Sequence, residues 1–189
     1  MCGTYQLLRD AYYGDGQFKS GGALIQHTRE SSENYAKRRK LAYYLNYTGP
    51  IVNASVDPIF RNEIKREYND TAKFKVFLDD ADRTGADLQN YIRRLAVMAK
   101  LYGVVYVIVN NETEIGETVQ DSLNKRALPY LAHVLPNEVT HWRFDERGRM
   151  TEFGYKNTVK DSEDKTKTRY YTWTQTSWAV ADENMQVIR

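Results

Sequence analysis

Apolar and polar positions change rhythm several times along this chain, and each change predicts an element. Over Lys73–Leu78 they nearly alternate, with Phe74, Val76 and Leu78 on one face and Lys73, Lys75 and Phe77 on the other. That period predicts a half-buried strand. From Leu88 the apolar residues recur as Leu88, Tyr91, Ile92, Leu95, Ala96, Ala99 and Tyr102, a stripe at helical spacing. It predicts one amphipathic helix over 88–102. Thr84 stands as its N-cap, with Asp87 three residues later as a short form of the capping-box acid, and Gly103 supplies the left-handed residue that ends it. Val104–Val109 is then apolar at all but Tyr106 and β-branched almost throughout. Such a run predicts a strand covered on both faces and central in its sheet.

Around this middle the pattern is coarser. Thr4–Tyr13 is expected to be a short helix stopped by Gly14, Asp15 and Gly16, and 18–30 reads as a surface arm or linker because of Gly21 and Gly22. A second helix starts at Ser31 or Ser32 and runs to Tyr47, with Leu41, Tyr44, Leu45 and Thr48 as its inner face. Gly49 and Pro50 break it. Pro50 opens a third helix carrying Ile51, Val52, Val56 and Ile59, which Pro58 finishes. After Asn110 comes a polar excursion with a short helix near Gln120–Arg126. Pro129–Leu135 resumes a strand, followed by a turn at Pro136. From Thr140 onwards the chain reads as a meander: Thr140–Phe144, a turn with Gly148 at positive φ, a strand carrying Thr151, Phe153, Tyr155 and Val159, a charged loop at Asp161–Lys167, a strand over Arg169–Ala181, and a last strand over Met185–Arg189. The expected class is α+β: N-terminal helices, a mixed sheet packed by the helix 88–102, and a C-terminal antiparallel β-meander. Two regions are expected, a 1–30 arm with a short helix and one domain over 31–189. A strand pattern that reaches the final residue suggests a chain cut from something longer.

Composition adds limits rather than a function. The chain has 189 residues, net charge +2 and one cysteine. That length suffices for one sizeable core. The charge forces no general adhesion to nucleic acid. A single Cys2 excludes an internal disulfide framework and a cysteine-based zinc site, which fits folding inside a cell. No apolar run approaches the ~20 residues of a membrane span, so no membrane partner is expected. The unusual feature is 15 tyrosines and 3 tryptophans, residue types that suit surfaces where one side of a ring is packed and the other meets a partner.

Candidate chemistry is sparse. Lys37, Arg38, Arg39 and Lys40 form the densest basic run, the one candidate contact for phosphates or an acidic partner. Four consecutive helical residues point to all sides, so they make no flat groove, and a solvated helix face is the bland reading. Asp80, Asp82, Thr84 and Gly85 match positions one, three, five and six of a calcium loop. The match fails at the twelfth position, where Tyr91 stands instead of a bidentate Glu. His27 has no neighbouring ligand type, while His133 and His141 have only Asp145 near them in sequence. No Gly-rich phosphate loop follows Val109, and no serine lies in a nucleophile elbow. No cofactor, metal or catalytic residue is expected, and the chain is read as no enzyme.

The order of these parts carries a resemblance. A basic helix RRKLAYYLNYTGPIVNASVDPIF leads to an acidic D-x-x-G helix start at Asp82–Gly85, then a G-x-x-x-h-V strand at Gly103–Val109. Pro129 and Tyr130, Pro136, Trp142 and a β-meander follow. Over about Arg38–Tyr155 this resembles the N-terminal half of a tailed-bacteriophage portal protein. The resemblance implies a wing-like structural subunit of a ring, usually a dodecamer, set at one vertex of the capsid. Double-stranded DNA passes through such a ring during packaging and ejection. The partners implied are further copies of the chain, major capsid and scaffolding proteins, terminase, and head-completion or connector proteins. The location implied is the virion, after assembly in the host cytoplasm. Portal subunits are longer, and the parts that line their DNA path lie beyond the matched region. The resemblance therefore assigns no DNA-contact residue here. Two other readings stay open: a metal-dependent phosphodiesterase or nuclease using the Asp79–Asp82 loop, and a phage interaction module that forms no ring.

Overall fold

The computed structural model describes residues 2–68, 72–111, 118, 121, 127–160 and 166–188. Five α-helices and two antiparallel sheets are described, an α+β protein. The chain divides into two compact units, Met1–His133 and Val134–Arg189.

The first unit is mainly helical: α1 (Cys2–Tyr13), α2 (Ser32–Leu41), α3 (Thr48–Val56) with a 3-10 turn at Asp57–Phe60, α4 (Ala72–Asp79) and α5 (Leu88–Tyr102). Among the described residues its two strands, β1 (Tyr106–Asn110) and β2 (Tyr130–Val134), pair with each other. Helix α5 has the ends its sequence encodes. Its N-cap is Asp87, whose carboxylate accepts the Asn90 N–H at 2.8 Å, and Gly103 closes it at φ 83° with its N–H on the Ala99 carbonyl at 2.9 Å. The expected cap Thr84 is committed elsewhere, donating its N–H and hydroxyl to Asp82.

The stripe of α5 packs mainly on helices rather than over a sheet: α1, α3, α4 and the 3-10 turn are its neighbours. Tyr91, in the first turn of α5, is fully buried, with its ring 6.1 Å from that of His133 in β2. Val52 and Val56 of α3 are buried, whereas Ile51 and, in the 3-10 turn, Ile59 are exposed. Helix α1 is tied to this group by Tyr5 against Tyr102 and by the Tyr12 hydroxyl donating to Asn53 at 2.9 Å.

Three expectations fail here for physical reasons. Residues 73–78 form α4 rather than a strand. Phe74, Phe77 and Leu78 stand at i, i+3 and i+4 as well as in near alternation, and a short apolar run fits both periods. The rings of Phe74 and Phe77 meet at 5.9 Å, the contact a helix turn provides. Second, β1 belongs to a two-stranded antiparallel sheet, not to the centre of a mixed one, and Val107 and Val109 are exposed. Third, α2 stops at Leu41 instead of Tyr47. Residues 42–47 run on without helix, and α3 begins at Thr48, so Gly49 and Pro50 lie inside its first turn. Tyr44 and Asn46 hold this stretch to α1: the Tyr44 hydroxyl donates to the Ala11 carbonyl at 3.0 Å and the Asn46 amide to that of Tyr12 at 2.7 Å. A Cβ on Gly49 would stand 3.0 Å from the Tyr12 carbonyl, so glycine permits this approach.

The second unit is an antiparallel meander, β3 (Val139–Phe144), β4 (Met150–Lys160), β5 (Thr166–Thr174) and β6 (Trp178–Ala181), in sequential order. Opposed residues share a face, so Trp142, Phe153, Trp173 and Trp178 form one aromatic row, with the stacked Tyr155 and Tyr171 beside it. Gly148 takes φ 73° in the β3–β4 turn, as expected. The single strand expected over Arg169–Ala181 is a hairpin. Thr174 turns the chain by accepting the Ser177 N–H at 3.0 Å on its hydroxyl, and Trp173 stacks on Trp178 across it. The last strand is reduced to one bridge, Ala181 to Val187. The short helix near Gln120–Arg126, Asp121 apart, and most of the Asp161–Lys167 loop lie outside the described residues.

Candidate functional site

The basic run sits on a helix that buries none of its own residues. Polar contacts fix it in place. Ser31 caps α2 by accepting the Asn34 N–H at 3.3 Å. Arg38 then closes a fork on Glu30, Nε to one carboxylate oxygen at 2.9 Å and Nη2 to the other at 2.8 Å, and also donates to the Ile25 carbonyl at 2.9 Å. Two parallel bonds of this kind suit the planar guanidinium and would not survive exchange for lysine. The Arg38 fork holds the Glu30 carboxyl below its ordinary range. Both guanidinium groups, Arg38 and Arg39, lie over the Tyr35 ring, whose hydroxyl donates to the Leu24 carbonyl at 2.8 Å.

The four cations therefore have different jobs. Arg38 latches residues 24–30 onto α2. Lys37 pairs with Glu33 at 2.7 Å, one turn back and in solvent, a contact of small worth. Arg39 and Lys40 are exposed, and Lys40 has no ion pair or hydrogen bond among the described residues. What remains for a phosphate or an acidic partner is Lys37, Arg39 and Lys40 spread round a helix. They supply diffuse positive charge rather than a groove that reads bases.

The acidic turn between α4 and α5 is built for closure. Asp80 accepts the Gly85 N–H at 2.8 Å, and Asp82 accepts the Thr84 N–H at 3.0 Å and its hydroxyl at 2.8 Å. The other Asp82 oxygen takes Nη2 of Arg94 from α5. Burial pushes the Asp82 carboxyl up, but the Thr84 bonds and the Arg94 charge outweigh it, and the net direction is down. A carboxylate already neutralised by a guanidinium is a poor cation ligand. The residue at the twelfth loop position, Tyr91, is fully buried, its hydroxyl has no partner among the described residues, and burial pushes it up to about 12. No group of three His, Cys, Asp or Glu among the described residues stands close enough to hold a metal ion.

The histidines are likewise placed for structure. His27 Nδ1 accepts the Arg29 N–H at 3.2 Å. His141 Nε2 lies 2.9 Å from Glu152, which Arg143 also approaches, at 3.3 Å. The sequence's other proposed ligand, Asp145, accepts the N–H groups of Arg147 and Arg149 and closes the β3–β4 turn. A concavity of about 380 Å³ lies against α4, lined by Phe74, Phe77, Val109, Leu128 and Leu131, with Lys73 as the one titratable side chain among its described lining residues. It offers apolar surface and no converging polar groups, which is not how a reaction site is equipped.

Sequence reasoning missed the most conspicuous surface. Leu41, Tyr43, Leu45 and Tyr47 are 81, 81, 58 and 66 % exposed, while Ala42, Tyr44 and Asn46 between them are half-buried. The signal was present as strict two-residue alternation in LAYYLNY, which a helical reading of Leu41, Tyr44, Leu45 and Thr48 passes over. No helix among the described residues is long and apolar enough to cross a membrane. No protein-family model matches the sequence, and no curated protein matches it.

Proposed function

We propose that the chain is the wing part of a portal-type ring subunit, a structural block of a tailed-phage capsid vertex through whose ring double-stranded DNA is packaged and ejected. One observation carries the reading. The D-x-x-G turn at Asp82–Gly85, the helix α5, the left-handed Gly103 and the strand β1 follow one another without a break, in the order in which the sequence resembles that family. Apolar side chains left bare at 41–47 and acids committed to turns support a role in assembly over one in catalysis. A ring that only conducts DNA has no need of base contacts; geometry and diffuse charge suffice. Under this reading the partners are further copies, capsid and scaffolding proteins, terminase and connector proteins, and the protein ends in the virion.

The test is mass in solution together with negative-stain images of the purified protein, and a cleavage assay on duplex DNA with magnesium. Closed rings with an open channel and no cleavage are expected. A single-copy protein that cuts DNA in magnesium, and stops doing so in an Asp82→Ala variant that still folds, would reverse the assignment in favour of a metal-dependent nuclease.

A further inference from the structure

Two stretches of this molecule leave backbone groups open for pairing. The first is the stretch 42–46. Ala42 is extended at φ −69° and ψ 139°, and the N–H groups of Tyr43, Tyr44, Leu45 and Asn46 bond to nothing among the described residues. Its outward side chains are apolar at every second position, the layout of a sheet strand that has no sheet. The second edge is the outer side of β3. It ends the order β3-β4-β5-β6, and Thr140–Phe144 are all exposed, including Trp142 at 53 % and Phe144 at 54 %. The opposite edge of the same sheet is covered by the chain itself: Val187 bridges Ala181, and the Ile188 N–H donates to the Val180 carbonyl at 2.7 Å. The register of β3 shifts between Val139 and His141 and again between Arg143 and Phe144, leaving Trp142 in its regular middle, and an edge left open beside an exposed aromatic is where another chain adds.

We infer that residues 42–46 of one copy add as a fifth antiparallel strand to the outer edge of β3 of a second copy. With Tyr43 opposite Trp142, Leu45 falls near Thr140, and Tyr43 lengthens the aromatic row of Trp142, Phe153, Trp173 and Trp178. The same direction turns the C-terminal end of α2, with its exposed Lys40, toward the Asp145–Glu146 turn, where Glu146 is exposed. Area points to the same occupant. Leu41, Tyr43, Leu45 and Tyr47 expose on the order of 600 Å² together, an aromatic side chain alone accounting for roughly 150–250 Å². That is most of the ~800 Å² per partner of a stable interface. The two surfaces differ, so the contact is head-to-tail and propagates until a ring closes or a filament forms. The inference deepens the ring reading by naming the joint between copies, yet it is separable from it.

The experiment uses the whole chain and two double variants, Tyr43→Glu with Leu45→Glu, and Trp142→Glu with Phe144→Glu, each checked for fold by circular dichroism. Masses are read by sedimentation. Wild type is expected above one copy, each variant alone at the 22.0 kDa of one chain, and an equal mixture of the two as pairs, because each variant keeps the surface the other lacks. Tyr43→Lys alone, at a side chain 81 % exposed, should weaken self-association at least tenfold, and it serves if a double variant misfolds. Wild type at one copy, assemblies that persist in either variant, or a mixture that stays single would each overturn the pairing. Rings that survive both variants end this inference and leave the ring reading standing. Open chains that the variants dissolve keep the pairing and end the ring.

Discussion

Asp82 shows how one side chain decides between a binding site and a brace. Its side chain is 6 % exposed and it spends its oxygens on Thr84 and Arg94, so the turn before α5 is closed by internal bonds. The carboxyl titrates below its ordinary value. A folded-state pKa below the unfolded one adds stability that is complete above the unfolded pKa and is lost as pH falls through the folded one. The unfolded value is about 3.9, so this contribution is present at neutral pH and fades only below about pH 4. Asp82→Asn should therefore cost about 1–3 kcal/mol at pH 7, the range for a hydrogen bond to a charged partner and the exposure of its donor. It should also flatten the fall of stability below about pH 4. Urea midpoints measured across pH check both. An unchanged acid limb would mean that the Asp82 contacts with Thr84 and Arg94 contribute nothing to folding, and a rise in midpoint when calcium is added to wild type would restore the metal reading.

At the scale of elements, α5 is the piece on which the first unit is assembled, because α1, α3 and α4 all pack against it. Its C-terminal glycine is at φ 83° and a Cβ there would meet no other atom. Gly103→Ala should thus cost backbone strain alone, about 1 kcal/mol, read as a lower urea midpoint with no change in assembly. A cost of several kcal/mol would reveal packing at this position. Helix α5 was legible in sequence because its stripe, its cap region and its glycine agree on one period over 15 residues. The meander was legible for a similar reason, as turns at Gly148 and near Lys160 punctuate alternating runs. Shorter pieces were not. Over 73–78 two periods fit, and the choice between them is made by the Phe74–Phe77 contact. Over 41–47 the sequence repeats every two residues, but strong helix formers precede it, and the end of α2 is set by Tyr44 and Asn46 bonding to the end of α1, some 33 and 34 residues away. The basic run was visible as charge, whereas the Arg38–Glu30 fork depends on a loop path that no local pattern specifies.

For the whole molecule, the two compact units differ in kind, and nature has labelled them separately. Every described helix lies within residues 2–102, and all three tryptophans, Trp142, Trp173 and Trp178, lie in the meander. Helical ellipticity near 222 nm consequently follows Met1–His133, and tryptophan emission follows Val134–Arg189, where Trp173 and Trp178 stack at 5.8 Å. Two probes that share one transition report one cooperative block; two that separate report two. Val56 is 3 % exposed in the helical unit, and Val56→Ala removes two buried methyl groups at about 1–3 kcal/mol. The expected outcome is a lower midpoint by ellipticity with the tryptophan midpoint unmoved. Equal shifts in both would show that the meander takes its stability from the helical unit. A separate transition would instead leave the β3 edge on a body that keeps its own fold while the helical unit, which carries the other half of the proposed joint, is loosened, so self-association in the Val56→Ala variant would fall at the ellipticity midpoint and not at the tryptophan one.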